Sequence, residues 1–434
     1  MAQQAWTKAE QSSRTTLTFL QELLAEYRPR DFAIELWDGA QWAPESGQFR
    51  RFTWRINDPG ALRSVLGSAS ERSLSEAYIY GQFDIDGDIQ AIFPLAEYLL
   101  HKHWGVKEKL RLSSMLLGLP SHSRPRSEAL ELHGPLHSKR RDRQAVTYHY
   151  DLSNEFYSLW LDRNMVYSCA YFQTPEDDLD AAQEQKLDYI CHKLRLKSGE
   201  RLLDIGCGWG GLITHAARNY GVRALGITLS KHQLEFARRR IEQEGLGERC
   251  EVRLLDYRQL DEPGAYDKLV SVGMVEHVGE AKLPEYFECT FRLLRPGGVF
   301  LNHGIGRAGS RAATKEPTFT DVYVFPDGEL VPIATTLDVA EKTGFEVRDV
   351  ENLREHYVLT LQHWLRRLEA HAEEALRLTD EVKYRIWRLY LAGSAHYFSM
   401  GKLDLYQSLL VKTDSGRSGL PLTREDWYGC EAGG

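Results

Sequence analysis

The chain has 434 residues, 42% hydrophobic and 11% aromatic, with a formal net charge of −8. That length points to two domains rather than one core, and the apolar content excludes general disorder. The acidic balance argues against a generic nucleic-acid binder, while leaving room for local basic patches.

Residues 8–27 read as an amphipathic helix whose apolar stripe holds Leu17, Leu20, Leu23, Leu24 and Tyr27. FAIELW (32–37) and RFTWRI (51–56) alternate, with Phe32, Ile34 and Leu36 on one face of the first and Phe52, Trp54 and Ile56 on one face of the second. Two strands followed by a helix after Pro59 predict a small α+β domain over 1–118. Asp84, Asp86 and Asp88 invite a calcium-loop reading, but Ile89 and Leu95 stand where such a loop needs Gly and Glu, so calcium is rejected. Helical periodicity returns over 89–118 through Ile92, Leu95, Ala96 and Leu99. Residues 119–144, rich in Pro, Ser, His and Arg, read as a linker. Its basic end, Lys139, Arg140, Arg141 and Arg143, suits anionic lipid headgroups, although a solvated charge run is the plainer reading.

The third region, 145–434, is organised around ERLLDIGCGWGG (200–211). An apolar run through Leu202, Leu203 and Ile205 enters Gly206, Gly208, Gly210 and Gly211: a buried strand, a tight turn, then a helix over about 209–220. Such a turn lets backbone approach a ligand closely and presents unpaired amides to it. Strands at 222–228, 252–256 and 299–305, and a strand running into a loop over 266–279, alternate with helices at 230–245 and about 280–292, the first capped by Ser230. This alternation predicts an α/β fold, a mostly parallel sheet with helices on both faces and a ligand crevice at the carboxyl ends of its strands. Residues 307–335 form an insertion, read as a cap, before TGFEVRDV (343–350), the start of a closing strand pair. After Leu353 the chain reads as helical to about 411, with Leu361, Trp364, Leu365 and Leu368 on one face, either core or a homodimer surface.

Six scattered cysteines, Cys169, Cys191, Cys207, Cys250, Cys289 and Cys430, offer neither zinc spacing nor a disulfide framework, so a reducing compartment and no metal are expected. No charged-then-apolar leader opens the sequence and no run of about 18 apolar residues occurs. Any contact with a membrane is therefore expected at its surface.

The glycine turn lacks the G-x-G-x-x-G dinucleotide fingerprint, and with Asp204 it resembles the first motif of class I S-adenosylmethionine-dependent methyltransferases, a Rossmann-like seven-stranded fold. In order and spacing, VTYHYDLSNEFYSLWLDRNMVYSCAYF (146–172), the turn at 204–211, GITLSKHQLEFA (226–237), VSVGMVEHVGE (270–280), LNHGIG (301–306) and the tail block at 390–412 resemble the cyclopropane-fatty-acyl-phospholipid synthase family. LSEAYIYGQFDIDGDI (74–89) more weakly resembles that family's amino-terminal lipid-binding domain.

The resemblance implies transfer of the methyl carbon of S-adenosylmethionine to the double bond of an unsaturated phospholipid acyl chain, closure of a cyclopropane ring, and a cytoplasmic protein peripheral to the inner membrane face. An isolated alkene is a feeble nucleophile, so the site has to hold it in line with the sulfonium and exclude water. Tyr167, Tyr171, Phe172, Tyr323, Phe325 and Tyr357 supply rings in the right segments, though for each singly core packing is the plainer reading. Ring closure requires a base, in the family a bound bicarbonate ion. Its holders fall on Cys169, Glu276, His303, the backbone of Ile305, and Tyr357. The family's cofactor contacts fall on Tyr167, Ser168, Gly206, Gly208, Thr228, Leu229, Ser230, Gln233, Asp256 and Tyr257. Asp204 either joins them or orients the turn. Thr228 stands where many methyltransferases carry an acid for the ribose, a departure the family shares. Two rivals remain: a relative that methylates the same alkene without closing the ring, and a lipid-binding protein with an idle methyltransferase fold.

Overall fold

The computed structural model describes residues 8–67, 70–103, 105–119, 132–150, 152–309 and 317–428. Cys430, residues 120–131 of the expected linker and residues 310–316 of the expected cap lie outside them. The chain falls into two compact units, one of residues 1–130, 316–324 and 380–396, the other of 131–315, 325–379 and 397–434.

The first unit holds a four-stranded sheet of β1 (Phe32–Leu36), β2 (Gln41–Trp42), β3 (Phe52–Ile56) and β4 (Phe83–Gly87), in the order β2-β1-β3-β4. Alternation does what the sequence predicts: Phe52, Trp54 and Ile56 are all buried, and Phe32 stacks on Phe52 across the parallel β1–β3 pair. The helix Lys8–Leu23 buries Phe19, Leu20 and Leu23 and stops four residues short of Tyr27. β4 is new, and it explains the acids that suggested a calcium loop. Asp84 pairs with Arg385, Asp86 with Arg55 and Asp88 with Arg51. Arg385 comes from the helix Glu381–Ser399, so the carboxyl-terminal segment 380–396 is core of this unit.

The second unit holds β5 (Arg201–Ile205), β6 (Arg223–Thr228), β7 (Cys250–Leu254), β8 (Tyr266–Val272), β9 (Leu294–Arg307), β10 (Glu346–Asn352) and β11 (Leu403–Val411). Their order is β10-β11-β9-β8-β5-β6-β7; the pairs from β9 to β7 are parallel and β11 runs antiparallel to both neighbours. Successive residues of each strand serve opposite cores. Leu202, Ala224 and Val270 pack with Ile190, Ile213 and Ala216 on one face, while Leu203, Leu225 and Leu269 pack with Tyr286, Phe287 and Leu293 on the other. This is the seven-stranded, mostly parallel α/β fold.

One expectation is overturned: 403–411 is not helical but the strand β11. The preceding helix ends at Ser399, Gly401 turns the chain at φ +61°, and LDLYQSLLV then fills the sheet between β9 and β10. A short apolar run suits either state by itself, and here the unpaired edge of β9 selects the strand. A smaller correction concerns the basic stretch at 139–143, which lies in the helix Lys139–Tyr150; Arg141 is fixed there by Asp327 at 2.9 Å.

Candidate active site

β5 ends at Ile205, and the chain passes through Gly206, Gly208 and Gly210 at φ +87°, +54° and +84° before the helix Gly211–Tyr220. These conformations favour glycine, and at Gly206 a Cβ would also sit 3.2 Å from the Met274 side chain. The turn opens on a cavity at the carboxyl ends of β5, β6, β7 and β8. Its wall includes Tyr167, Ser168, Asp204, Gly206, Gly208, Thr228, Leu229, Gln233, Asp256 and Tyr257. Ser230 stands off this wall, where its hydroxyl caps the helix Lys231–Gln243 by accepting from the Gln233 amide at 3.3 Å.

Two features of the wall are electrostatic. Thr228 donates its hydroxyl to Gln233 Oε1 at 2.7 Å, so the carbonyl end of that amide is taken and its NH2 is the end left for a ligand. Where an acid would offer an acceptor to a ribose, this pair offers the Gln233 NH2 as a donor. At the far end, Arg258 bridges Asp256 at 2.6 Å and Asp142 of the helix Lys139–Tyr150 at 2.9 Å. Burial works against the Asp256 carboxylate, but the hydrogen bonds and charge of Arg258 hold it below its ordinary value. Asp204 differs: burial pushes its carboxyl up to about 7 against the pull of Lys186, and its Oδ1 has no partner.

The five expected catalytic positions lie off this wall, linked to one another by a chain of contacts. Ile305 donates its backbone amide to Glu276 Oε1 at 2.7 Å. Ile305 pairs with Leu405 across β9 and β11, Leu405 accepts from the Leu353 amide at 2.8 Å, and the Leu353 carbonyl accepts from the Cys169 thiol at 3.9 Å and the Tyr357 amide at 3.1 Å. His303 completes the group from β9, with Gln407 of β11 donating its amide to Nδ1 at 3.1 Å. That bond places the imidazole proton on Nε2, which is buried and without a partner, as is Glu276 Oε2. Burial pushes the Glu276 carboxyl up to about 7. Burial, then the charges of Lys186 and Lys193, pulls the His303 imidazole down to about 3, so it is neutral. Burial likewise keeps the Cys169 thiol protonated. Tyr357 packs against Trp364, which meets Tyr167 at 5.2 Å and Trp160 at 5.6 Å between ring centroids.

Sequence reasoning passed over Lys186, Arg258, Asp142 and Gln407. Lys186 had a signal: within the helix Leu179–Leu194 it falls four residues from Ala182 and four from Ile190, on an apolar stripe. Gln407 had none, since its role depends on β11 lying beside β9.

A family model described as mycolic acid cyclopropane synthetase matches residues 137–408, and one described as a domain of unknown function matches 19–100. The chain is 42% identical over 402 residues to a probable fatty acid methyltransferase of Pseudomonas putida, covering 91% of this chain and 95% of that protein. It is 37% identical over 278 residues to cyclopropane mycolic acid synthase 3 of Mycobacterium tuberculosis, covering 62% of this chain and 96% of that protein. Among solved structures, the mycolic acid cyclopropane synthase CmaA1 complexed with SAH and CTAB aligns with a TM-score of 0.59 at 34% identity, covering 62% of this chain and 97% of that one.

Proposed function

The chain belongs to the mycolic acid cyclopropane synthetase family of S-adenosylmethionine-dependent methyltransferases that modify lipids, and from that premise we propose that it forms cyclopropane rings on unsaturated acyl chains of membrane phospholipids. The observation that carries this reading is the pair of buried, unpartnered atoms His303 Nε2 and Glu276 Oε2. A buried polar atom without a partner is unfavourable by roughly 1–3 kcal/mol, which a bound polar group would recover.

A bicarbonate ion fits this donor set. The neutral imidazole donates from Nε2, and a Glu276 carboxyl raised to about 7 by burial carries a proton to share with an anion over part of the neutral range. His303, Glu276, Cys169, Ile305 and Tyr357 would hold it. When bound, it would supply the base for the hydrogen lost in ring closure. S-adenosylmethionine, the methyl donor, fits the glycine turn and the Gln233 NH2 that Thr228 orients. The chain's own part is to orient and to exclude water. Trp160, Tyr167, Trp364 and Tyr357 form a continuous aromatic group, of which Tyr167 lines the cavity and would present its ring to positive charge on an acyl chain.

Membrane docking is supported within the first unit. The helix Val106–Gly118 buries none of its side chains. Val106, Leu110 and Leu117 share one face at 77%, 68% and 67% exposure, with exposed Lys107 and Lys109 on either side. Apolar residues flanked by lysines suit an anionic lipid surface. Among the described residues no helix is long and apolar enough to cross a membrane.

A second reading is transfer without ring closure, favoured by the relative that covers 91% of the chain and is named as a fatty acid methyltransferase. Purified protein, vesicles of monounsaturated phospholipid and methyl-labelled S-adenosylmethionine decide between them. Proton NMR of the extracted lipid is expected to show labelled cyclopropane methylene signals. Vinylidene or branched-methyl signals would establish the second reading, and an unlabelled lipid fraction would overturn both.

A further inference from the structure

The segment 167–172 brings Tyr167 and Ser168 to the cavity wall and Cys169 to the catalytic positions, yet it belongs to no strand. Its backbone is held instead by side chains from two helices. From the helix Leu179–Leu194, the fully buried Gln183 donates Nε2 to the carbonyls of Val166 at 3.3 Å and Ser168 at 2.8 Å. From the helix Arg354–Ala370, Thr360 Oγ1 accepts from the Ala170 amide and His356 Nδ1 from the Phe172 amide, both at 3.0 Å. This second pair has a geometric basis. Residues four apart on a helix lie about 6 Å apart along its axis, and residues two apart on an extended chain about 6.6 Å. One face of the helix therefore serves the amides of Ala170 and Phe172 as the edge of a strand would.

Both side chains are prepared to accept. Thr360 is fully buried and spends its hydroxyl hydrogen on the His356 carbonyl at 2.7 Å, which leaves its lone pairs for the Ala170 amide. The His356 ring stacks on Tyr171 at 4.7 Å between centroids, and burial pulls its imidazole down against the charges of Glu351 on β10 and Glu355 on its own helix. The ring is thus neutral at pH 7, and the bond from Phe172 puts its one proton on Nε2. The same helix bears Tyr357, and the Leu353 carbonyl just ahead of it accepts from the Cys169 thiol. We propose that His356 and Thr360 are positioning residues that clamp the Cys169 end of the segment to the helix bearing Tyr357, fixing two of the expected bicarbonate contacts relative to each other. Gln183 anchors the other end, where Tyr167 and Ser168 meet the cavity. The clamp therefore governs the anion side of the site and leaves the methyl-donor side to Gln183.

The inference rests on the proposed bicarbonate reading, so the test separates the two. In the intact chain, His356→Leu and Thr360→Val remove an acceptor, while His356→Asn and Thr360→Ser keep an oxygen close to where the acceptor stood. Three quantities are measured: turnover on vesicles of monounsaturated phospholipid as bicarbonate is added to carbonate-free buffer, S-adenosylhomocysteine affinity by calorimetry, and deuterium exchange of the peptide spanning 169–173. His356→Leu and Thr360→Val are each expected to raise the half-saturating bicarbonate concentration by roughly tenfold or more, the size of one lost buried hydrogen bond. Exchange of the peptide should quicken, and S-adenosylhomocysteine affinity should not move. His356→Asn and Thr360→Ser should restore both the bicarbonate response and the slow exchange. Equal loss of S-adenosylhomocysteine affinity, or an asparagine variant no better than the leucine one, would overturn the clamp. Wild-type turnover indifferent to bicarbonate would overturn the anion reading instead, and exchange then decides the clamp by itself: unchanged exchange in His356→Leu defeats it. Should His356→Leu not fold, the comparison of Thr360→Val with Thr360→Ser decides on the same terms.

Discussion

Glu276 is held by the fold in a state that water would not choose. Burial raises its carboxyl from 4.5 to about 7, so the stability tied to the protonated form is complete below about pH 4.5 and is lost as pH rises through 7. Above that, the folded protein carries a buried charge, and a shift of this size corresponds to on the order of 3 kcal/mol. Glu276→Gln removes the charge while keeping an oxygen for the Ile305 amide. The variant should melt higher than wild type at pH 8, with the difference shrinking towards pH 5, as measured by thermal denaturation at both values. The same change should leave S-adenosylhomocysteine affinity nearly intact and reduce turnover by about a hundredfold, the range lost with a general acid or base. Equal loss of affinity and turnover would make Glu276 a cofactor contact. A second residue follows the same logic through geometry: Gln407 sets the His303 tautomer, so Gln407→Leu should cut turnover and broaden its pH profile while S-adenosylhomocysteine still binds.

At the scale of elements, the glycine turn depends on the strand beside it as much as on its own residues. Gly226, in the middle of β6, faces Cys207, and a Cβ there would lie 2.7 Å from Sγ and 2.9 Å from Ile213 Cδ1. Gly226→Ala should therefore push the turn off its position, destabilising the unit by about 1–3 kcal/mol and weakening S-adenosylhomocysteine at least as much as methylthioadenosine. Unchanged melting and affinity would show that the turn yields freely. The helix Lys139–Tyr150 closes the same cavity from outside the sheet through the Arg258 bridge between Asp142 and Asp256. A basic run in sequence becomes a wall of the site because one acid among the arginines finds a buried partner.

For the molecule as a whole, the proposed division of labour gives the first unit contact with a lipid surface and the second the chemistry. The exposed stripe of Val106, Leu110 and Leu117 belongs to the first unit, and Glu276 and His303 to the second. Leu110→Glu with Leu117→Glu should weaken co-sedimentation with anionic vesicles by about a hundredfold or more, since each leucine forfeits some 1.5–3 kcal/mol of apolar burial. S-adenosylhomocysteine affinity should not move. Binding of wild type should also fall with added salt over the range where the Debye length shrinks below about 10 Å. Vesicle binding indifferent to both leucines would remove this helix from the membrane contact.

Local pattern was sufficient wherever one element's own residues carry the signal. The alternation in β3, the apolar run and glycines of β5, the Ser230 cap and the ordered motifs from 146 to 306 reveal the α/β unit, its crevice and the identity of its wall. These features are local because side-chain period, φ preference and capping act over a few residues. Pairing is not local. LDLYQSLLV became a strand because β9, about a hundred residues earlier, offered an open edge; the three acids near 84–88 were claimed by Arg51, Arg55 and Arg385; and the segment 380–396 joined a unit that begins at the other end of the chain. Folding also produced the chemistry. The family motif names Glu276 and His303, but only the removal of water around them, and the arrival of Gln407 and Lys186 from distant elements, makes one a carboxyl titrating near neutrality and the other a neutral ring with its proton on a chosen nitrogen.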